Sequence, residues 1–258
     1  IVSALSELKL LNTRVGIEKN SLFLTAKLAE SIQAKTPKVE WQDTSNLVSA
    51  LRIVKSPLEM DYVRKAAKAT DAGMLAAINS IHDGASDYEV SAECSRAMIL
   101  AGSEHFAFGP FIRPTSRLGE EHTTWRGEVF KKGDAIFLEI AANYRKYQSP
   151  MGRLVYIGNA PQGVEKSVQL AIDGMKAING SIKHGAKAGD VYTAWREVGK
   201  KGGLENYERH HCGYVVSIGF PPSWTGGSMV TALAPNSQLE LKTGMTFHTH
   251  SWFTNTDC

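Results

Sequence analysis

The run Gly133-Asp134-Ala135-Ile136-Phe137-Leu138-Glu139-Ile140-Ala141-Ala142 is strand-length and apolar, with a carboxylate, Glu139, in its interior. Bulky apolar residues bounded by Gly-Asp predict a buried strand over 135–142. Arg153 to Ile157 predicts its antiparallel partner, around a turn region at Tyr147. Residues 58–81 predict a long amphipathic helix, with Ala66, Ala67, Met74, Ala77 and Ile81 as its small and apolar contacts. Gly84 ends it, and Asp87 starts a second helix with Val90, Cys94, Ala97 and Met98 on one face. Helices follow from Val164 to about Ile182, and from a cap at Asp190 to Lys200. Short strands are expected at 106–113, 212–218, 229–233 and 245–253. Long helices over an antiparallel sheet give an α+β class.

Upstream, Thr13 to Ile17 and Val39 to Trp41 predict short strands, and Thr25 to Ala34 a helix. Asp43 to Ser45 caps a further helix running toward Ile53. Ser56-Pro57 breaks the chain and restarts it, since proline suits a helix start. The domains are therefore expected at 1–55, the tail of an α/β domain, and 56–258. The chain opens on Ile1 inside an apparent helix and stops just after a strand-like run, so it is expected to be a piece of a longer protein.

A formal charge of +3 over 258 residues leaves no footprint for nucleic acid or an anionic membrane. No apolar run approaches a membrane span. Cys94, Cys212 and Cys258 are widely spaced and odd in number, so neither a disulfide framework nor a CxxC metal site follows. A reducing cytoplasm is the expected location, and no signal peptide is visible.

Four segments in order resemble the creatinase/aminopeptidase P family: "KSPLEMDYVRKAA" entering the second domain, "GEEHTTW" ahead of the Gly-Asp strand, "CGYVVSIGFPPSW", and "LKTGMTFHTH". The resemblance implies the pita-bread fold, a curved antiparallel sheet covered by helices. Metallopeptidases of that family hold a metal pair. Here the first Asp position is Glu139, the second is Pro150, the histidine after Gly213 is Tyr214, and the first Glu is His250. One carboxylate and a proline do not suit a hard divalent pair, so no metal and no other cofactor is expected. "RLGEEHTTW", "FLEIA", "GYVVSIGFPPSW" and "GMTFH" resemble the ectoine hydrolases within the family. That implies a metal-independent hydrolase opening a C–N bond of a small zwitterionic cyclic amidine to an acetylated diamino acid. It also implies a homodimer whose N-terminal domain covers the partner's site, so the chain alone, lacking most of that domain, is expected to be weakly active or inactive.

The implied catalytic set is Glu139 at the amidinium carbon, His122 as proton shuttle and Tyr214 as hydrogen-bond donor. Arg153 or Arg113 would hold the substrate carboxylate in a fork, with His250 and Trp125 as further substrate contacts. Plainer roles stand beside these. Glu139 is also explained as an ion-pair member, His122 as a surface histidine and Tyr214 as packing. Glu120 and Glu121 suit solvated loop positions, and Phe106, Phe108 and Phe111 suit core. His248 and His250 share one side of a strand, and with His210, His211 and Cys212 they offer a transition-metal alternative. A metallopeptidase of Xaa-Pro type and a catalytically inactive binding module are the remaining alternatives.

Overall fold

The computed structural model describes residues 1–120, 122–225 and 230–253. Glu121, Met229 and Cys258, all weighed above, lie outside the described residues. The chain divides into two compact units. The first holds Ile1–Arg52, and the second holds the bulk of the chain from Ile53 onward.

The first unit contains α1 (Val2–Glu7), β1 (Arg14–Ile17), α2 (Ala26–Lys35), β2 (Glu40–Asp43) and α3 (Leu47–Arg52). β1 and β2 pair in parallel, Arg14 opposite Glu40, with α2 as the crossover. The Thr25 side chain accepts from Leu28 N–H and starts α2. Asp43 accepts from Ser45 N–H and Ser45 Oγ–H, which turns the chain toward α3.

In the second unit, Ser56 and Glu59 form a reciprocal capping box with Pro57 in the first turn, and α4 runs Pro57–Ser80. Ser86 and Glu89 repeat that box at the start of α5 (Asp87–Leu100). The two helices approach closely at Gly73, where an added Cβ would meet Met98 Cγ at 2.3 Å. They cover one face of a sheet of β3 (Phe111–Pro114), β4 (Ala135–Tyr144) and β5 (Tyr147–Tyr156), antiparallel in the order β3-β4-β5. The face under the helices carries Ile112, Ile136, Leu138, Ile140 and Ala142, all buried against Met74, Val90, Cys94 and Met98.

Beyond the sheet, α6 (Val164–Ser181) and α7 (Ala188–Lys201) enclose a second core around Ile178, Trp195 and Leu233. A second antiparallel pair, β6 (Gly213–Val215) and β7 (Phe247–Thr249), packs beside it. Gln148 N–H donates to Ser217 O at 3.2 Å and Gln148 Nε2 to Gly219 O at 2.9 Å, fastening the β6 segment to β5. No helix among the described residues is long and apolar enough to cross a membrane.

Several details differ from the sequence expectation. The strand expected at 229–233 is reduced, among the described residues, to a single bridge between Ala232 and Tyr214, and those expected at 212–218 and 245–253 shorten to β6 and β7, three residues each. β5 begins at Tyr147, because the hairpin closes through only Arg145 and Lys146, both at positive φ (52° and 67°). Two such residues match the twist of the flanking strands. The strand expected at 106–113 is confined to Phe111–Pro114, since Pro110 has no N–H to give a ladder. Asp190 lies inside the first turn of α7, whose N-cap is Lys187. Negative charge there still complements the helix dipole.

Candidate active site

Side chains alternate across a strand, so the face of β4 opposite the helices carries Phe137, Glu139 and Ala141. Phe111 of β3 lies directly across from Glu139, and Arg113 across from Phe137, so both share that face. Glu139 is 7 % exposed. A carboxylate this dry needs a partner, and it finds one 109 residues away: His248 Nε2 lies 3.1 Å from Glu139 Oε1.

His248 reaches Glu139 because β7 pairs with β6 in register, placing it opposite Tyr214. Gly213 makes the approach of the two strands possible. An added Cβ would meet His248 O at 2.7 Å and Thr249 Cα at 3.0 Å. His250, two residues on, shares the side of His248, and their rings lie 4.2 Å apart. Tyr214 packs edge-on against both, at 5.5 Å and 5.3 Å. Its hydroxyl oxygen accepts from Trp224 Nε1–H at 2.7 Å, which leaves its own hydrogen to donate.

Electrostatics fix the protonation of several groups. Burial pushes the His250 imidazole down to about 2, with His248, His211 and Arg209 adding repulsion. Both its ring nitrogens are buried with no hydrogen-bond partner among the described residues. His211 is pushed down to about 4, chiefly by burial and then by His210. Burial, then the charge of Glu139, holds the Tyr214 hydroxyl well above its ordinary range, so it serves as donor and not as base. The Cys212 thiol is pushed up to about 12 by burial and belongs to the core around Trp195.

The five-ligand grouping of His210, His211, Cys212, His248 and His250 is therefore not what the fold assembles. His210 is exposed and Cys212 is turned into apolar packing. The potential ligand atoms that converge are those of Glu139, His248 and His250, within 4.8 Å of one another.

His122 stands at the rim. It is exposed, at φ 53°, with its ring stacked over Phe111 at 4.9 Å and Phe108 at 5.4 Å. Its loop is anchored from both ends. Asp87 accepts from Arg126 N–H and Gly127 N–H, and Arg117 pairs with Glu120 and Glu128. Glu120 is thus a partner in an ion-pair network and not a freely solvated charge. Trp125 donates to Pro110 O at 2.7 Å and packs against Gly109, so it braces that loop.

The two arginines named from sequence part company. Arg113 is buried on the Glu139 face, its guanidinium 4.9 Å from the Phe137 ring. Arg153 lies opposite Leu138, hence on the other face of the sheet, exposed and bonded to Gly152 O. The structure does not bring Arg153 to Glu139. Sequence reasoning passed over a third arginine, Arg209, whose guanidinium lies 4.6 Å from the Trp252 ring. It also missed the pairing of His248 with Glu139 and the support of Tyr214 by Trp224. The shared side of His248 and His250 was the one available signal.

A model of metallopeptidase family M24 matches residues 61–256. The chain is similar to the ectoine hydrolase of Halomonas elongata, 29% identical over 91% of this chain and 60% of that protein. It is similar also to the Xaa-Pro dipeptidase of Pyrococcus furiosus, 26% identical over 79% of this chain and 58% of that protein. The Xaa-Pro dipeptidase structure from Bacillus anthracis matches with a TM-score of 0.82 at 22% identity, covering 95% of this chain and 66% of that one. The fold is the pita-bread fold. The chain spans about 60% of the length of the curated relatives it matches.

Proposed function

The chain belongs to metallopeptidase family M24, and from that premise we propose that it is a hydrolase opening a C–N bond of a small cyclic amidine of the ectoine type. The observation that carries this reading is the buried Glu139–His248 pair at 3.1 Å, roofed by Tyr214. An amidinium is a delocalised N–C–N cation with an electrophilic carbon. Glu139 offers it one buried carboxylate, and the surrounding Phe111, Phe137 and Trp224 rings exclude water.

Hydrolysis adds the oxygen of water to the amidine carbon and breaks one ring C–N bond. The leaving nitrogen takes a proton and the carbon is left as an amide. Glu139 acts at the carbon, either by taking the proton of the attacking water or by adding first itself. His248, bonded directly to Glu139, is better placed to pass that proton on than rim-standing His122. Tyr214 donates to the charge that develops as the carbon becomes tetrahedral.

The metal pair that the family name implies does not fit these residues. Pro150 and Ala141 face each other across the ladder beside Glu139, so the second carboxylate position offers no donor. Glu139, His248 and His250 do make a donor set suited to a single borderline ion such as zinc. That grouping favours a second reading, an M24 hydrolase with one metal, in which the ion would polarise a carbonyl.

The deciding experiment strips the intact protein with a chelator, incubates it with ectoine and follows ring opening by NMR, beside Glu139→Gln. Ring opening that survives stripping and disappears in the variant supports the amidine reading. Inertness toward ectoine, with Xaa-Pro dipeptide cleavage restored by stoichiometric zinc, would overturn it in favour of the second.

A further inference from the structure

We propose that Arg209, whose guanidinium lies over the Trp252 ring, is the residue that binds the carboxylate of the substrate. This assignment rests on the amidine reading, in which the carboxylate end of a zwitterionic substrate still needs a partner. Glu139 serves the cationic end, Arg153 lies on the wrong face of the sheet, and Arg113, though on the Glu139 face, is buried against the Phe137 ring and already engaged.

Arg209 is unusual for how little it does structurally. Arg117 is tied to two glutamates, and Arg196 donates to Leu204 O and Glu205 O. The Arg209 guanidinium has no hydrogen bond or ion pair among the described residues, and its Nε is fully buried without a partner. Its known contact is the face of Trp252, 4.6 Å from the ring centroid. A buried guanidinium N–H without an acceptor is costly, and an anion at the half-buried head would offset that cost. A guanidinium held over an aromatic face can still offer the paired N–H groups at the edge of its fork to a carboxylate.

The arginine is held from behind. Tyr192 on α7 donates its hydroxyl hydrogen to Arg209 O at 2.7 Å, and Tyr207 donates to Trp252 O at 2.9 Å. Both members of the stack are thus pinned by their backbones, which is the preorganisation that a recognition subsite needs. Position agrees with the role. Trp252 packs on Phe137 at 5.0 Å, and Phe137 is two residues from Glu139 on the same strand face. On its other side Trp252 approaches His250 at 6.5 Å. The positive charge of Arg209 is felt at Tyr214, His211 and His250, in keeping with a place beside the Glu139 cluster. His250, with both ring nitrogens buried and unpaired among the described residues, stands beside Glu139 and suits the polar middle of a compact ligand.

Calorimetry on the intact protein tests this with two probes: ectoine, and the same cyclic amidine lacking its carboxylate. The unmodified protein is expected to prefer ectoine by about 30-fold, the scale of a charge-assisted pair. Arg209→Gln should bind both probes equally, while Arg209→Lys should keep part of the preference. In turnover, Arg209→Gln should raise KM for ectoine by a similar factor and change kcat less than about 3-fold. Unchanged melting of the variants checks that they fold. A carboxylate preference that persists in Arg209→Gln overturns the assignment alone. If neither probe binds the unmodified protein, the amidine reading falls and the assignment falls with it.

Discussion

The two faces of the β3-β4-β5 sheet are made from alternate residues of the same strands, yet they answer to different demands. Under α4 and α5, β4 presents Ile136, Leu138, Ile140 and Ala142, and each is fully buried among apolar neighbours. On the other face the same strand presents Phe137, Glu139 and Ala141, roofed by Tyr214, His248 and Trp224. The first face is satisfied by volume and the second by partners. A fold that places a carboxylate between Leu138 and Ile140 keeps it dry only because β7 delivers an imidazole to it.

That contrast can be broken by exchanging the kind of damage done to each face. Glu139→Gln is expected to lower kcat on an amidine substrate by at least about 10³-fold, with denaturant stability nearly unchanged, since the amide still bonds His248. A loss of stability matching the loss of rate would make Glu139 a structural pair member. Leu138→Ala, one residue away, should cost about 2–5 kcal/mol in urea unfolding through the cavity it leaves, with KM unmoved in the folded fraction. Tyr214→Phe should lower kcat by about 10²-fold and leave KM close to unchanged, because its hydrogen bond strengthens only as charge develops. An effect confined to stability would reduce Tyr214 to a packing role.

The smallest effect concerns pH. His211 and His250 have folded values near 4 and 2, below the ordinary imidazole range. The unfolded chain therefore binds more protons between about pH 6.5 and 4. The contribution of these histidines is fully present above that range and is lost as pH falls through it. His250→Asn should flatten the decline in Tm over that window, read by thermal scans at stepped pH. An unchanged slope would show that the imidazole is not buried as described.

Much of this organisation was legible from local signals. Ser56-Pro57 marks a helix start whatever the rest of the chain does, and the Gly-Asp strand with its lone carboxylate marks the strand of the candidate site. What eluded the sequence was parity and distance. Placing the turn near Tyr147 left the hairpin register open, and register alone decides that Arg153 sits behind Leu138 and not beside Glu139. Arg209 lies in a stretch without periodicity, and the role proposed for it depends on Trp252, 43 positions later. Nothing local ties Glu139 to His248 across 109 residues.

That separation has a kinetic consequence. Helices α4 and α5 and the tight β4–β5 hairpin are built from near neighbours, whereas the Glu139–His248 contact closes a loop spanning more than a third of the chain. Contacts of long sequence separation form late because the ordering cost falls due before the reward. The Glu139–His248 pair is thus expected to assemble late, so on refolding the far-ultraviolet helix signal would return ahead of any activity that depends on the pair.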